Sequence, residues 1–447
     1  MNSAIRTKLS IMFFLEYVVW GAWLPLLSLY MKEYLKFDGI QMAWILNAFA
    51  IASLTGIFFG GQLADRYFSQ EKFLAFSHLV GGLSMLGLAY VKTFWPFLGL
   101  MLLHCFFFVP TLSITNAIAF ANLKDAQKDF GFIRLWGTIG WIAASWPFIF
   151  IPINWTLIPP MAKAGGFVAW MGEALSSSNL KTGSAMEAAL TSTFIVSGVT
   201  ALVLAAFSLF LPRTPPAVNA EAKFAPFEAM KLLAVPSILI LFIVTLLDSL
   251  VHSCYFFWTG PFFTEIGLPQ NWIAPAMSIG QIAEILAMAT LGLFLKRLGW
   301  RMTMVIGVLG QGLRFAIYSM GTPELLWLVI ASNVFHGFAY ACFFATVYIF
   351  VDETFPKDAR ASAQGLFNLL ILGVGPFLGN FLWGWLGNAF ATSQMVNGKV
   401  VTTIQFHRLF LVPMGIAILG SLILILFFHP PKKIEPVVLE GEPAVAS

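Results

Sequence analysis

The sequence predicts an all-α membrane protein of twelve transmembrane helices, arranged as two six-helix pseudo-repeats. Three observations carry that expectation. Hydrophobic residues make up 59% of the 447 positions and charged residues only 10%, against about 25% charged in soluble domains. That much apolar surface cannot be hidden in a water-soluble core. Hydropathy also divides the chain into twelve apolar stretches of membrane-crossing length, and a polar, proline-punctuated segment at 213–232, opening Arg213-Thr214-Pro215-Pro216, divides them six and six.

In order, the predicted spans are 8–31, 40–64, 73–92, 95–121, 132–153, 188–212, 236–263, 273–295, 302–320, 324–350, 361–389 and 406–428. Residues 1–212 then form an N-terminal bundle, 213–232 a cytoplasmic linker, 233–429 a C-terminal bundle and 430–447 a disordered tail. A Gly/Ser-containing loop, 154–187, joins spans 5 and 6. The three cysteines, Cys105, Cys254 and Cys342, all fall within spans and read as small buried hydrophobes. No metal-ligand spacing, cofactor motif or catalytic constellation stands out, so an enzyme is not expected.

Lysine and arginine counts orient the chain. With the N-terminus in the cytoplasm, sixteen fall on inner loops and tails and seven on outer loops, so both termini are expected inside. The loop after span 2 reads Gly61-Gln62-Leu63-Ala64-Asp65-Arg66, and the equivalent loop after span 8 reads Gly292-Leu293-Phe294-Leu295-Lys296-Arg297. This weak repeat supports two parallel halves, which places a substrate site between them near the midplane. The first loop resembles the signature of the major facilitator superfamily. Asp65 and Arg66 are its candidate cytoplasmic gate.

Polar residues within the spans mark the candidate site. Glu284 follows Gln281 by three residues in the otherwise apolar stretch Ala276–Leu295, so amide and carboxylate share one helix face. A carboxylate at that depth costs roughly 3 kcal/mol on insertion scales, and such groups face a bundle interior or a wet cavity. Similar one-sided stripes are Glu16, Trp20 and Trp23 in span 1, and Arg134, Thr138 and Trp141 in span 5. Span 7 offers Asp248, His252 and Tyr255 or Phe256, and span 10 offers Asn333, His336 and Tyr340. Asp248 and His252 could satisfy one another across one helical turn. His78 and His104 show no partner in the sequence, and Arg314 reads as a member of a structural ion pair. Flat aromatic faces beside Gln, Glu, Arg, Thr and His suit a heterocycle bearing a hydroxylated sugar. A nucleoside fits, and so would a glycoside or an aromatic drug.

Several segments together resemble the nucleoside:proton symporters of the major facilitator superfamily. They are Trp20-Gly21-Ala22-Trp23, Leu35-Lys36-Phe37-Asp38-Gly39, Pro110-Thr111-Leu112 with Thr115-Asn116, Ile133-Arg134-Leu135-Trp136-Gly137-Thr138-Ile139-Gly140, Gln281-Ile282-Ala283-Glu284, Leu313-Arg314-Phe315 and Arg360-Ala361-Ser362-Ala363-Gln364-Gly365. They run in the family's order from span 1 to span 11. The resemblance implies import of nucleosides across a bacterial inner membrane by alternating access, with proton coupling. It implies substrate contacts from Arg134, Thr138, Trp141, Gln281, Glu284, His336 and Tyr340, and less securely from His252 and Tyr255. Trp20 and Trp23 complete the expected set.

One position departs from the family. Its acid next to the span 10 aromatic reads Ala341 here, and alanine cannot titrate. Either Glu16, Asp248 or Glu284 carries the proton, or the chain is an uncoupled facilitator. A sugar, muropeptide or drug carrier and a non-transporting receptor are the rival classes. The expected partners are a nucleoside, protons and the lipid bilayer, with no nucleic acid, acting on a monomer that needs no cofactor.

Overall fold

The computed structural model describes residues 3–67, 69–123, 126–215, 230–355, 357–396 and 399–430. Nine of the described helices are long and apolar enough to cross a membrane. One of them, Gln270–Ser319, breaks at Gly299, whose φ of 69° is a left-handed conformation. Its two arms run in opposite directions along one neighbour. A Cβ at Gly280 would meet Asn333 and His336 and one at Gly337 would meet Glu284, whereas Gly307 faces Phe343 and Gly310 faces Phe335 and Ala339. Counted as two helices, these arms join two less apolar helices, Gln70–Leu88 and Ala126–Ser145, to give twelve among the described residues.

The helices of the first half are α1 (Ser3–Gly21, continued by Leu24–Glu33), α2 (Gly39–Tyr67), α3 (Gln70–Leu88), α4 (Phe94–Asn122), α5 (Ala126–Ser145) and α6 (Gly183–Ser208). Those of the second half are α7 (Pro236–Glu265), α8 and α9 (270–298 and 300–319), α10 (Leu326–Ala331, Val334–Ala339 and Thr346–Thr354), α11 (Lys357–Asn368 and Gly375–Ala389) and α12 (Leu411–Phe427). Two spans contain π-helical turns, Tyr340–Ala345 in α10 and Leu369–Val374 in α11. Such turns interrupt the regular backbone ladder and re-aim the side chains they carry.

The expected spans recur with local differences. Span 5 was expected to continue to 153, but α5 ends at Ser145 and tightens into a 3₁₀ turn, Trp146–Ile149, where Pro147 removes a backbone donor. The loop 154–187 contains a short helix, Phe167–Ala174, and is tied by a bridge between Ile153 and Leu180. Between α11 and α12 stands an antiparallel hairpin, β1 (Ala391–Val396) and β2 (Lys399–Ile404). Hydropathy alone does not reveal it, although Asn397-Gly398 is a strong hairpin-turn dipeptide. The side chains of Asp65 and Arg66 lie outside the described residues, as do most of the 213–232 linker and nearly all of the tail.

Within the first half α1 packs on α5, and α3 on α4 and α6. Within the second, α7 packs on α11 and α12, and α8 on α10. Across the halves α2 meets α11 and α5 meets α8. These are equivalent pairs, because α2 and α8 hold the second place of each repeat, and α5 and α11 the fifth. The pseudo-symmetry is therefore visible in the packing.

The halves are clasped at the end of the bundle that carries the α1–α2 and α7–α8 connections. Tyr34 donates to Gln270 Oε1 (2.8 Å), Gly39 N to Asn388 Oδ1 (2.9 Å) and Asn271 Nδ2 to the Ile149 carbonyl (3.1 Å). Deeper in, Asn47 Nδ2 donates to the Phe377 carbonyl (3.1 Å) and Asn380 Nδ2 to Asn47 Oδ1 (2.9 Å). Asn47→Ala removes both of those bonds and leaves Asn380 buried with its amide unpaired, a cost of about 1–3 kcal/mol. We expect a lower melting temperature in detergent, and less than additive loss in Asn47→Ala/Asn380→Ala. A melting temperature equal to wild type contradicts a structural role for the pair.

Candidate functional site

Between the halves lies a cavity of about 450 Å³. Its walls come from both repeats. α1 supplies Tyr17, Trp20 and Trp23, α2 Phe49, α4 Asn116, and α5 Arg134, Thr138 and Trp141. α7 adds His252 and Phe256, α8 Gln281 and Glu284, and α10 His336, Tyr340, Phe344 and Tyr348. The irregular backbone gathers here. α1 breaks between Trp20 and Leu24, and the α10 π turn carries Tyr340 and Phe344.

Ten of the eleven residues named as substrate contacts from sequence line this one cavity. Tyr255 does not. It is fully buried behind the wall, its hydroxyl donates to the Met277 carbonyl (3.1 Å), and its ring stacks on His336 with centroids 4.1 Å apart. Phe256 takes the lining place on α7, the alternative that span 7 left open. Trp23 touches the cavity but is only 2% exposed, with its ring edge-on to His104. Tyr17, Phe49 and Asn116 were missed. Tyr17 precedes Trp20 by three residues, so the helical stripe could have included it. Phe49 sits in an apolar run that gives no such signal.

The aromatic wall is self-supporting. Trp20 stacks on Phe49 (4.9 Å, 7° between planes) and stands edge-on to Trp141 (5.2 Å), and Trp141 in turn contacts Phe256 across the halves. Arg134 is fixed by Tyr17: its Nη2 donates to the hydroxyl (2.6 Å) and its guanidinium lies 4.3 Å from the ring centroid. Pairing with an aromatic face positions the cation without neutralising it.

On the opposite wall, the backbones of α8 and α10 touch where Gly280 faces Gly337. A Cβ on Gly337 would overlap the Gly280 carbonyl and the Glu284 amide. Small residues permit such approach between membrane helices, and it sets Gln281, Glu284 and His336 side by side. The carboxylate of Glu284, the amide of Gln281 and the hydroxyl of Thr138 make no side-chain hydrogen bond among the described residues, yet all three line the cavity. Glu284 lies in no ion pair there, and Arg134 is the cation whose field reaches it. These side chains turn to the cavity rather than to a protein partner, and their donors and acceptors are free to bond a polar molecule there.

The other two candidate proton carriers sit elsewhere. Glu16 does not share the cavity face of Trp20. It is fully buried among α1, α3 and α4, with His78 Nε2 at 2.7 Å from Oε2 and Thr111 Oγ1 donating to Oε1 at 2.6 Å. His78, which showed no partner in the sequence, is therefore paired with it. Asp248 is buried and neither carboxylate oxygen has a hydrogen bond, so it does not pair with His252. Arg314 is not ion-paired within 4 Å among the described residues. It donates to His336 Nδ1 (2.6 Å) and Gln311 Oε1 (2.7 Å) instead.

These environments predict opposite stabilities for two acid deletions. Glu16→Ala strands His78 and Thr111 in the interior, where breaking a buried pair costs about 3–5 kcal/mol. Glu284→Ala removes a side chain that satisfies nothing in the protein and stays within about 1 kcal/mol of wild type. Unfolding in detergent should therefore show a strongly lowered midpoint for the first and a near-native one for the second. The reverse order would overturn the assignment of structural and open acid.

Comparison with known proteins agrees with this architecture. The family model described as nucleoside H+ symporter matches residues 1–161 and 156–433. The Escherichia coli (strain K12) protein YegT is 31% identical over 400 residues, spanning 88% of this chain and 87% of YegT. Nucleoside permease NupG of the same organism is 28% identical over 419 residues, spanning 89% of this chain and 91% of NupG. The crystal structure of NupG superposes with a TM-score of 0.77, covering 96% of this chain and all (100%) of that chain at 25% identity. This chain, a multi-pass membrane transporter of the major facilitator fold, thus belongs to the nucleoside H+ symporter family.

Proposed function

We propose that this protein imports nucleosides across a bacterial inner membrane by alternating access, and that Glu284 both grips the sugar and carries the coupled proton. The observation that supports it is that one cavity is lined both by aromatic rings (Trp20, Trp141, Phe256, Tyr340) and by polar side chains without a protein partner (Gln281, Glu284, Thr138), with the Arg134 cation beside them. A base stacks against the rings, and ribose hydroxyls meet the polar groups. A plain sugar would leave the rings without a flat partner. Curated relatives bear the names nucleoside permease and xanthosine permease, and we extend that substrate class to this chain.

In this reading the halves 1–212 and 233–429 rock about the cavity, joined by the 213–232 linker, and Asp65 and Arg66 act at the cytoplasmic gate. Both termini then lie in the cytoplasm, a placement that the excess of lysine and arginine on the inner loops supports. The clasp at Tyr34, Gly39 and Asn47 then lies on the outer side, and the described conformation is closed to the outside. A monomer is the working unit in this reading.

Coupling requires an acid that reaches water from each side in turn. Glu16 is held by His78 and Thr111, and Asp248 is sealed behind the α7 face. Glu284 alone among the three opens on the cavity. Ala341, in place of the family's acid, favours a second reading in which transport is uncoupled.

Proteoliposomes separate these readings. With Glu284→Gln we expect at least tenfold less labelled uridine or adenosine accumulated under an inward proton gradient, the scale on which a lost charge-assisted hydrogen bond acts (about 1.5–3 kcal/mol). Asp248→Asn should keep gradient-driven accumulation. If Glu284→Gln accumulates nucleoside like wild type, Glu284 neither grips nor couples. If wild type only equilibrates nucleoside, whatever the gradient, the facilitator reading replaces symport. Stronger inhibition by sugars than by nucleosides would reject the substrate class.

A further inference from the structure

Arg314 is fully buried in α9, and a guanidinium has donors only. Its Nη1 stands 2.6 Å from His336 Nδ1. The ring nitrogen must therefore be the acceptor, and the single proton of the imidazole sits on Nε2. The arrangement is rigid. Nη2 of the same guanidinium is held by Gln311 (2.7 Å), and its Cζ lies 4.4 Å from the Tyr255 ring centroid. The His336 ring itself stacks on Tyr255 (4.1 Å, 24°) and on His252 (4.9 Å, 20°), and Gly280 packs on its Cβ and Cδ2 edge. Rotation of the ring would break the Arg314 bond and leave a buried cation facing a C–H.

The remaining edge faces the cavity that His336 lines, and Nε2 has no hydrogen-bond partner among the described residues without being sealed from that space. We infer that His336 is a specificity-determining residue, a neutral imidazole locked by Arg314 that offers one fixed N–H donor to the base. It selects bases presenting an acceptor, a carbonyl oxygen or an unprotonated ring nitrogen, at that edge. The inference rests on the nucleoside reading above. An aromatic ring in this place would stack on a base of any hydrogen-bonding pattern, whereas a directional donor rejects a base that leaves it unpaired.

The test is competition for nucleoside transport in proteoliposomes by analogues that each remove or weaken one acceptor: 1-, 3- and 7-deazaadenosine against adenosine, and 2-thio- and 4-thiouridine, in which a weakly accepting thiocarbonyl replaces one carbonyl, against uridine. Wild type should discriminate against at least one analogue by about tenfold, the effect of one neutral hydrogen bond. His336→Phe should reduce that ratio to within about twofold, while His336→Gln, whose amide can accept from Arg314 and still donate, should restore it. Since His336→Phe strands the buried Arg314, His336→Phe/Arg314→Met provides a second donorless background without an unpaired cation. A ratio that survives in either donorless variant, or a wild type that discriminates against no analogue, overturns the inference while nucleoside transport stands. A wild type that transports no nucleoside removes the reading on which it rests.

Discussion

A polar group in the hydrocarbon region must find a partner or face water, because the bilayer offers neither. Nearly everything legible about this protein follows from how its few intramembrane polar groups meet that demand. Glu16 is satisfied by His78 and Thr111, Asn47 pairs with Asn380, and the two terminal nitrogens of Arg314 are taken by His336 and Gln311 while its Nε has no partner. Glu284, Gln281 and Thr138 are left open, and all three face one cavity. Apart from Asp248, which is buried without a hydrogen bond, these groups divide into those that hold the bundle together and those that face the cavity.

Helix periodicity could nominate those residues but could not sort them. Glu16, Trp20 and Trp23 share a stripe in the sequence, yet α1 breaks at Ala22–Trp23 and Glu16 turns toward α3 and α4. Its partner His78 lies 62 positions away, a separation that no local pattern spans. Tyr255 and Phe256 differ by one position and hence by about 100° around the helix, so only packing decides which of them lines the cavity. The residues named on α5 and α8 line one cavity, because each motif is compact and its helix is regular there. The π turns of α10 and α11 and the β1–β2 hairpin had to come from the structure.

In the proposed reading, alanine at position 341 concentrates function onto α8. Gly280 and Gly337 bring α8 and α10 into backbone contact, so a carboxylate, an amide and a tautomer-locked imidazole stand on one wall. Sugar grip, base selection and proton movement are then neighbours rather than separate stations. Such crowding suits a transporter whose two cargoes must travel together. Of the two intramembrane carboxylates without a hydrogen bond among the described residues, Glu284 and Asp248, only Glu284 opens on the cavity.

In the proposed reading one nucleoside lies across this cavity with its sugar at Glu284 and its base against the aromatic rings. An experimental structure of the purified protein with bound uridine or adenosine tests this. Ribose hydroxyls should lie within hydrogen-bonding distance of Glu284 and Gln281, with the base against Trp20, Trp141, Phe256 or Tyr340. A nucleoside bound with its ribose away from α8, or outside the space between the halves, would contradict it.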